Sequence, residues 1–238
     1  MQFGEAGTHD EDGVMVGCLV EDQGDLLMYY TGWSRGYTVP YRVSVGLAKS
    51  TDGGITFERV FKGPVVDRTP HEPYMTMSPY VVRHDGVWKM WYGSGTGWTE
   101  IDGKMEPLYV TKYAESADGL DWIQDNLLSI EPLHELEANT RPSVSIGPSG
   151  YDMWYSYRHS VDYRDGKGGY RIGHATSKDG KTWDRQADPK GLAPDGDGWA
   201  GRMTCYPNVL DIDGVRVMFH NGDGFGASGF GYAVWEPA

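Results

Sequence analysis

The sequence predicts an all-β chain, a β-propeller of four-stranded antiparallel blades, and three observations carry that prediction. The first is a repeat: Met28-Tyr29-Tyr30, Met90-Trp91-Tyr92, Met153-Trp154-Tyr155 and Met218-Phe219-His220 step by 62, 63 and 65 residues along a chain of 238. A fixed period of this kind marks stacked or radially arranged units. The second is a turn that follows in step, with Ser50-Thr51-Asp52-Gly53, Ser116-Ala117-Asp118-Gly119 and Ser177-Lys178-Asp179-Gly180 each about 20 residues downstream of the aromatic pair. The third is composition: 34 glycines, 13% aromatic residues and short alternating apolar runs, with one brief helix-friendly stretch at 133–138. Alternation over four to eight residues between turn formers is the signature of half-buried strands.

The elements of one repeat follow from the second copy. Residues 78–83 form an apolar strand, 84–86 a turn with Asp85-Gly86, and 87–92 a second strand. Asp-Gly favours tight hairpins because glycine takes positive φ freely. A long polar loop, a third strand at 108–116, the Ser-x-Asp-Gly turn and a shorter fourth strand from Trp122 complete it. Four antiparallel strands repeated around an axis are the blades of a propeller. The repeats run over about 14–67, 75–132, 139–195 and 203–238, after a Gly-rich acidic lead of residues 1–14, and form one domain. The fourth ends after its third strand, and residues 2–4 are short for a strand that would complete it.

Charge narrows the partners. A net charge of −13 and a pI near 4.8 argue against nucleic acid and anionic membranes. No apolar run reaches the roughly 18 residues of a span, and no basic-then-apolar leader is visible, so a cytoplasmic protein is expected. Cys18 and Cys205 are expected as buried free thiols. His9 and His71 precede acidic residues, but no zinc-type spacing appears, so no metal or cofactor is expected beyond a structural Ca²⁺ or water in the channel, which stays open. Nothing in the sequence sets an oligomeric state.

Aligned on the methionines, the repeats define columns. Eleven residues before the anchor stand Gly17, Pro79, Pro142 and Pro207; twelve before, Val16, Ser78, Arg141 and Tyr206; fourteen before, Val14, Thr76, Asn139 and Thr204. Sixteen before stand Asp12, Tyr74, Glu137 and Arg202; eighteen before, Asp10, Glu72, Glu135 and Ala200. The even offsets share one face, since side chains alternate along a strand. A column that changes from blade to blade and is rich in Asp, Glu, Arg and Tyr reads as an asymmetric site at one mouth of the channel, in preference to solvated loops. Asp12 and Glu137 are expected to face each other there, as the two carboxylates of glycoside hydrolysis do. Arg141 and Arg202 would tune a carboxylate or hold an anionic group on a sugar. Trp33 and Trp98 serve either as a stacking platform for a sugar or as blade packing. His220-Asn221 breaks the aromatic pattern of the other repeats and adds Asn221 to the candidates.

Two resemblances follow. The turn Ser177-x-Asp179-Gly180-x-Thr182-Trp183 resembles the Asp-box of sialidase-type propellers, which implies structural roles for Asp52, Asp118 and Asp179, with Trp122 and Trp183 packing between blades. The blade rhythm, the lead at residues 7–14, His71-Glu72-Pro73-Tyr74, Asn139-Thr140-Arg141-Pro142 and Asn221-Gly222-Asp223-Gly224-Phe225-Gly226 resemble the five-bladed propeller glycosidases, family 43 and its invertase-like relatives. A blade missing or reduced at the N-terminus is expected, the alternative being a ring that closes in another way. The resemblance implies a glycoside hydrolase with Asp12 (or Asp10) as base or nucleophile, Glu137 as acid and Glu72 as an orienting carboxylate. Asp10, His71, Arg141, Arg202, Tyr206, Trp33, Trp98 and Asn221 would contact a carbohydrate or sugar derivative. The invertase-type Asn-Asp-Pro and Glu-Cys-Pro motifs are absent. A carbohydrate-binding propeller without catalysis and a protein-interaction propeller are the rival expectations.

Overall fold

The structure is a computed structural model that describes residues 1–164, 167–186, 193–194 and 196–235. The expected ends of the third and fourth repeats, at 195 and 238, lie outside the described residues. The fold is all-β, with four antiparallel sheets whose strands are ordered as they occur in the chain, in the manner of propeller blades. Blade one comprises β1 (Gly13–Asp22), β2 (Asp25–Arg35), β3 (Tyr41–Ser50) and β4 (Glu58–Arg59). Blade two comprises β5 (Thr76–His84), β6 (Val87–Ile101), β7 (Lys104–Ser116) and β8 (Trp122–Leu128). Blade three comprises β9 (Glu137–Gly147), β10 (Gly150–His159), β11 (Arg171–Ser177) and β12 (Asp184–Arg185). Blade four has three strands among the described residues, β13 (Cys205–Ile212), β14 (Val215–Asn221) and β15 (Phe230–Val234). The helix-friendly stretch at 133–138 instead leads into β9. Among the described residues no helix is long and apolar enough to cross a membrane.

The chain divides into two compact units, residues 1–127 and 128–238. In the first, β5 packs against β1, β2 and β3. Its core joins Tyr29, Val45 and Leu47 to Val81, Trp88, Met90 and Tyr92. In the second, β13 packs against β9, β10 and β11, with Trp154, Ile172, Val209 and Met218 between them. The anchor methionines are therefore core residues, buried because their strands are central in each sheet.

The Ser-x-Asp-Gly turns are closed by their own side chains. Ser50, Ser116 and Ser177 accept from Gly54, Gly119 and Gly180 N–H at 2.9 Å, while Asp52, Asp118 and Asp179 accept backbone N–H groups at 2.8 to 2.9 Å. Trp122 and Trp183 donate their indole N–H to the carbonyls of Gly119 and Gly180. The tyrosine of blade one reaches the turn of blade two, since Tyr29 donates to the Gly119 carbonyl at 2.8 Å.

The proline column marks a β-bulge. In the first strand of every blade the pairing register slips at that place, next to Gly17, Pro79, Pro142 and Pro207. The residue before each proline is left-handed, with φ of 52° at Ser78, 54° at Arg141 and 59° at Tyr206. Non-glycine residues adopt that region only where neighbours hold them there. At Ser78 and Tyr206 hydroxyls of the preceding blade do so. Ser78 N–H donates to Thr31 Oγ1 and Tyr206 N–H to Ser156 Oγ, each at 2.8 Å.

Candidate active site

Four carboxylates were candidates, and the structure sorts them by exposure. The side chains of Asp10, Glu72 and Glu137 are 0%, 0% and 2% exposed, whereas that of Asp12 is 29% exposed. Asp10 Oδ2 accepts from Arg59 Nε at 2.7 Å and Tyr30 OH at 3.0 Å, and Oδ1 from Thr8 Oγ1 at 3.1 Å. Burial alone would raise its pKa, but these bonds, with His9 beside it, hold the carboxyl below the usual range. Glu72 accepts from Ser94 Oγ at 2.6 Å and Tyr92 OH at 2.9 Å, with Lys112 Nζ at 3.6 Å. Burial lowers the Lys112 pKa, against the pull of Glu72, and burial raises that of Tyr92. Glu137 accepts from Arg185 Nη1 at 2.6 Å and Leu133 N–H at 3.1 Å, and Arg185 lies over the Tyr155 ring.

Asp10, Glu72 and Glu137 share one pattern of contacts. Each ties the loop entering its own blade to a second-strand tyrosine, to a cation, or to both. The column looked irregular because the carboxylate lies eighteen residues before the anchor in blades one and two and sixteen in blade three, where Glu135 is exposed.

Asp12 is the carboxylate that remains accessible. Its N–H donates to the Trp33 carbonyl at 3.0 Å, which sets it just before β1 at the end of β2. Its Oδ2 accepts from Arg35 N–H at 2.8 Å and its Oδ1 lies 3.3 Å from Arg35 Nε. The chain end it occupies carries half-buried aromatics: Trp33 lies 4.7 Å from Tyr41, and Tyr41 lies 5.3 Å from Trp98, ring centre to ring centre. Trp33 also covers Gly13, where a Cβ would come within 3.2 Å of it. Trp33 and Trp98 are therefore joined through Tyr41, a residue the repeat did not single out.

The remaining candidates separate. His71 is exposed, its N–H bonded to Thr69 Oγ1. In the second unit Arg141 stacks over Tyr206 at 5.3 Å, and Tyr170 lies 5.5 Å from the same ring. Arg202 pairs with Asp223 at 3.2 Å, and Asn221 donates to the Phe225 carbonyl. Cys205 is buried, which pushes its thiol up to about 12. Among the described residues no group of three His, Cys, Asp or Glu side chains is placed to hold a metal ion.

The fold is that of a propeller of the glycoside hydrolase class. The description "Glycosyl hydrolases family 32 N-terminal domain" matches residues 3–129, and the chain belongs to that family. It is 37% identical over 234 residues to two uncharacterized proteins of Mycobacterium tuberculosis, from strains CDC 1551 and H37Rv, covering 98% of this chain and 75% of each of theirs. Among solved structures it is similar to a glycoside hydrolase (TM-score 0.73, 17% identity, 98% of this chain and 72% of that one). It is also similar to the family-32 beta-fructofuranosidase of Bombyx mori (TM-score 0.64, 16% identity, 87% of this chain and 42% of that one). At such identities the likeness is one of fold.

Proposed function

We propose that the chain cleaves a glycosidic bond, with Asp12 (or Asp10) as base or nucleophile, Glu137 as the acid, and Glu72 as a carboxylate that orients or tunes. The observation that carries this reading is the accessible Asp12 carboxylate, oriented by Arg35 at the strand end that bears Trp33, Tyr41 and Trp98. A carboxylate beside aromatic faces suits a sugar, whose apolar face stacks while its glycosidic oxygen or anomeric carbon meets the acid and base. Family membership supports the same reaction class. In this reading Arg141, Tyr206, Arg202, Asn221 and His71 contact the sugar.

The test is product analysis over a panel of glycosides. Asp12→Asn and Glu137→Gln should each lower kcat/KM by roughly 10²-fold or more, the scale of losing an acid or base. Unchanged turnover in the Asp12 variant would reject its role.

One observation favours a second reading, a carbohydrate-binding propeller without turnover. Glu137 is buried and paired with Arg185, which engages it as an anchor. Binding of sugars by the wild-type chain with no product across the panel would select this reading over the first.

A further inference from the structure

Blade one borders a groove of about 570 Å³ between the 7–11 loop and the 62–74 segment, of whose lining the glycoside-cleaving reading uses Arg35 alone. Arg35, Arg42, Lys62 and Arg68 line it, against two carboxylates, Glu11 and Asp67. In a chain with a net charge of −13 this is a local reversal of sign. The two acids are partly engaged elsewhere. Glu11 turns back to accept from Gly7 N–H at 2.7 Å, and Asp67 lies 3.7 Å from Arg68 Nε. Lys62 reaches Glu5 at 2.8 Å, and Arg42 has no ion-pair partner among the described residues.

Polar and aromatic walls complete the groove. His9 Nδ1 lies 2.9 Å from Ser44 Oγ, while His9 Nε2 is buried with no hydrogen-bond partner among the described residues. Tyr74 lines the same space with an exposed ring.

We propose that this groove binds the anionic group of a sugar derivative, a phosphate or a carboxylate, with Arg42 and Arg68 as its main cationic contacts and Tyr74 against the sugar. Guanidinium forks match both anions in geometry and charge. Arg35 joins the groove to Asp12, so the anion lies one guanidinium away from the carboxylate assigned to the reaction. The sugar half of the proposal rests on the glycoside-cleaving reading; the anion half does not.

The test is calorimetry on the full chain at low ionic strength with inorganic phosphate, glucose 6-phosphate, glucuronate and glucose. At least one anion should bind, more weakly as salt is raised, and glucose should bind less well than its phosphate or its acid. Tighter binding of the phosphate than of glucuronate assigns the anion as a phosphate, and the reverse assigns a carboxylate. Arg42→Gln with Arg68→Gln should weaken binding at least about tenfold with Tm unchanged, the worth of one or two charge-assisted contacts. Arg83→Gln, an arginine of the same unit paired with Asp22, should leave binding as it is. Absence of binding by every anion, or equal weakening by Arg83→Gln, overturns the proposal. Binding is read without turnover, so an inactive chain that still takes the anion removes the enzymatic reading and leaves this one standing.

Discussion

Blades one to three and blade four use the same three positions differently. In blades one and three a second-strand tyrosine, Tyr30 or Tyr155, stands opposite a third-strand glycine, Gly46 or Gly173. A Cβ on either glycine would lie 2.3 Å or 2.6 Å from the tyrosine ring. The cation then comes from the fourth strand, as Arg59 or Arg185. In blade two the residue opposite Tyr92 is Lys112, and the fourth strand offers Gln124 where the others offer arginine. The positive charge has moved one strand inward. In blade four His220 replaces the tyrosine, opposite Gly231, and Trp199 stacks on it at 5.2 Å. A Cβ on Gly231 would lie 2.5 Å from Trp199. The difference teaches that the glycine is kept for whichever ring must lie over the third strand, and that the carboxylate persists only where a cation can meet it.

The comparison breaks most visibly at Glu72. Glu72→Ala leaves Lys112, Tyr92 and Ser94 buried without their common acceptor. A loss of about 3–5 kcal/mol is expected, roughly 10 °C in Tm by thermal melting. A smaller effect sharpens it. Lys112→Gly alone should cost about 3 kcal/mol, because Glu72 keeps its charge and loses its cation. Adding Gln124→Arg rebuilds the arrangement of blades one and three, and should recover a large part of that loss in denaturant unfolding. No recovery would mean that the three anchors are not equivalent.

In blade four, Trp199→Ala should cost about 2 kcal/mol, since that ring is partly exposed. Burial lowers the His220 pKa, so re-solvating the ring should move its titration upward, as read by NMR. The smallest effect concerns the turns. Hydrogen bonds from Thr56 hold the Asp52 carboxyl at about 2, below its ordinary 3.8. A depressed folded-state value adds stability above pH 3.8 that is lost as the pH falls toward 2. Asp52→Asn should therefore lower Tm slightly at neutral pH and converge with the wild type as the pH falls toward 2, which flattens the acid limb of the Tm profile.

Much of this architecture was legible in the chain, because the period, the Asp-Gly hairpins and the Ser-x-Asp-Gly turns are local signals that each blade repeats. The roles of the acidic residues were not. Asp10 stands in the loop before β1 and Glu137 opens β9, so the two lie at different distances from their anchors, and alternation within a strand says nothing before the strand begins. Trp33 and Trp98 were visible as residues, but Tyr41, which joins them, opens a third strand and repeats no motif. Arg42 lies among apolar residues at the start of β3 and Arg68 in a polar loop, so only folding brings them to one groove.

The left-handed residue ahead of each proline has one more consequence. Ser78, Arg141 and Tyr206 share a backbone conformation and share no side-chain chemistry. Since the strain belongs to the main chain and is held by the bulge and its neighbours, the substituent can be exchanged with little change in the scaffold. Such a position is a fitting into which evolution can plug a hydroxyl, a guanidinium or a phenol in turn, and it gives a repetitive fold a way to become chemically individual, blade by blade.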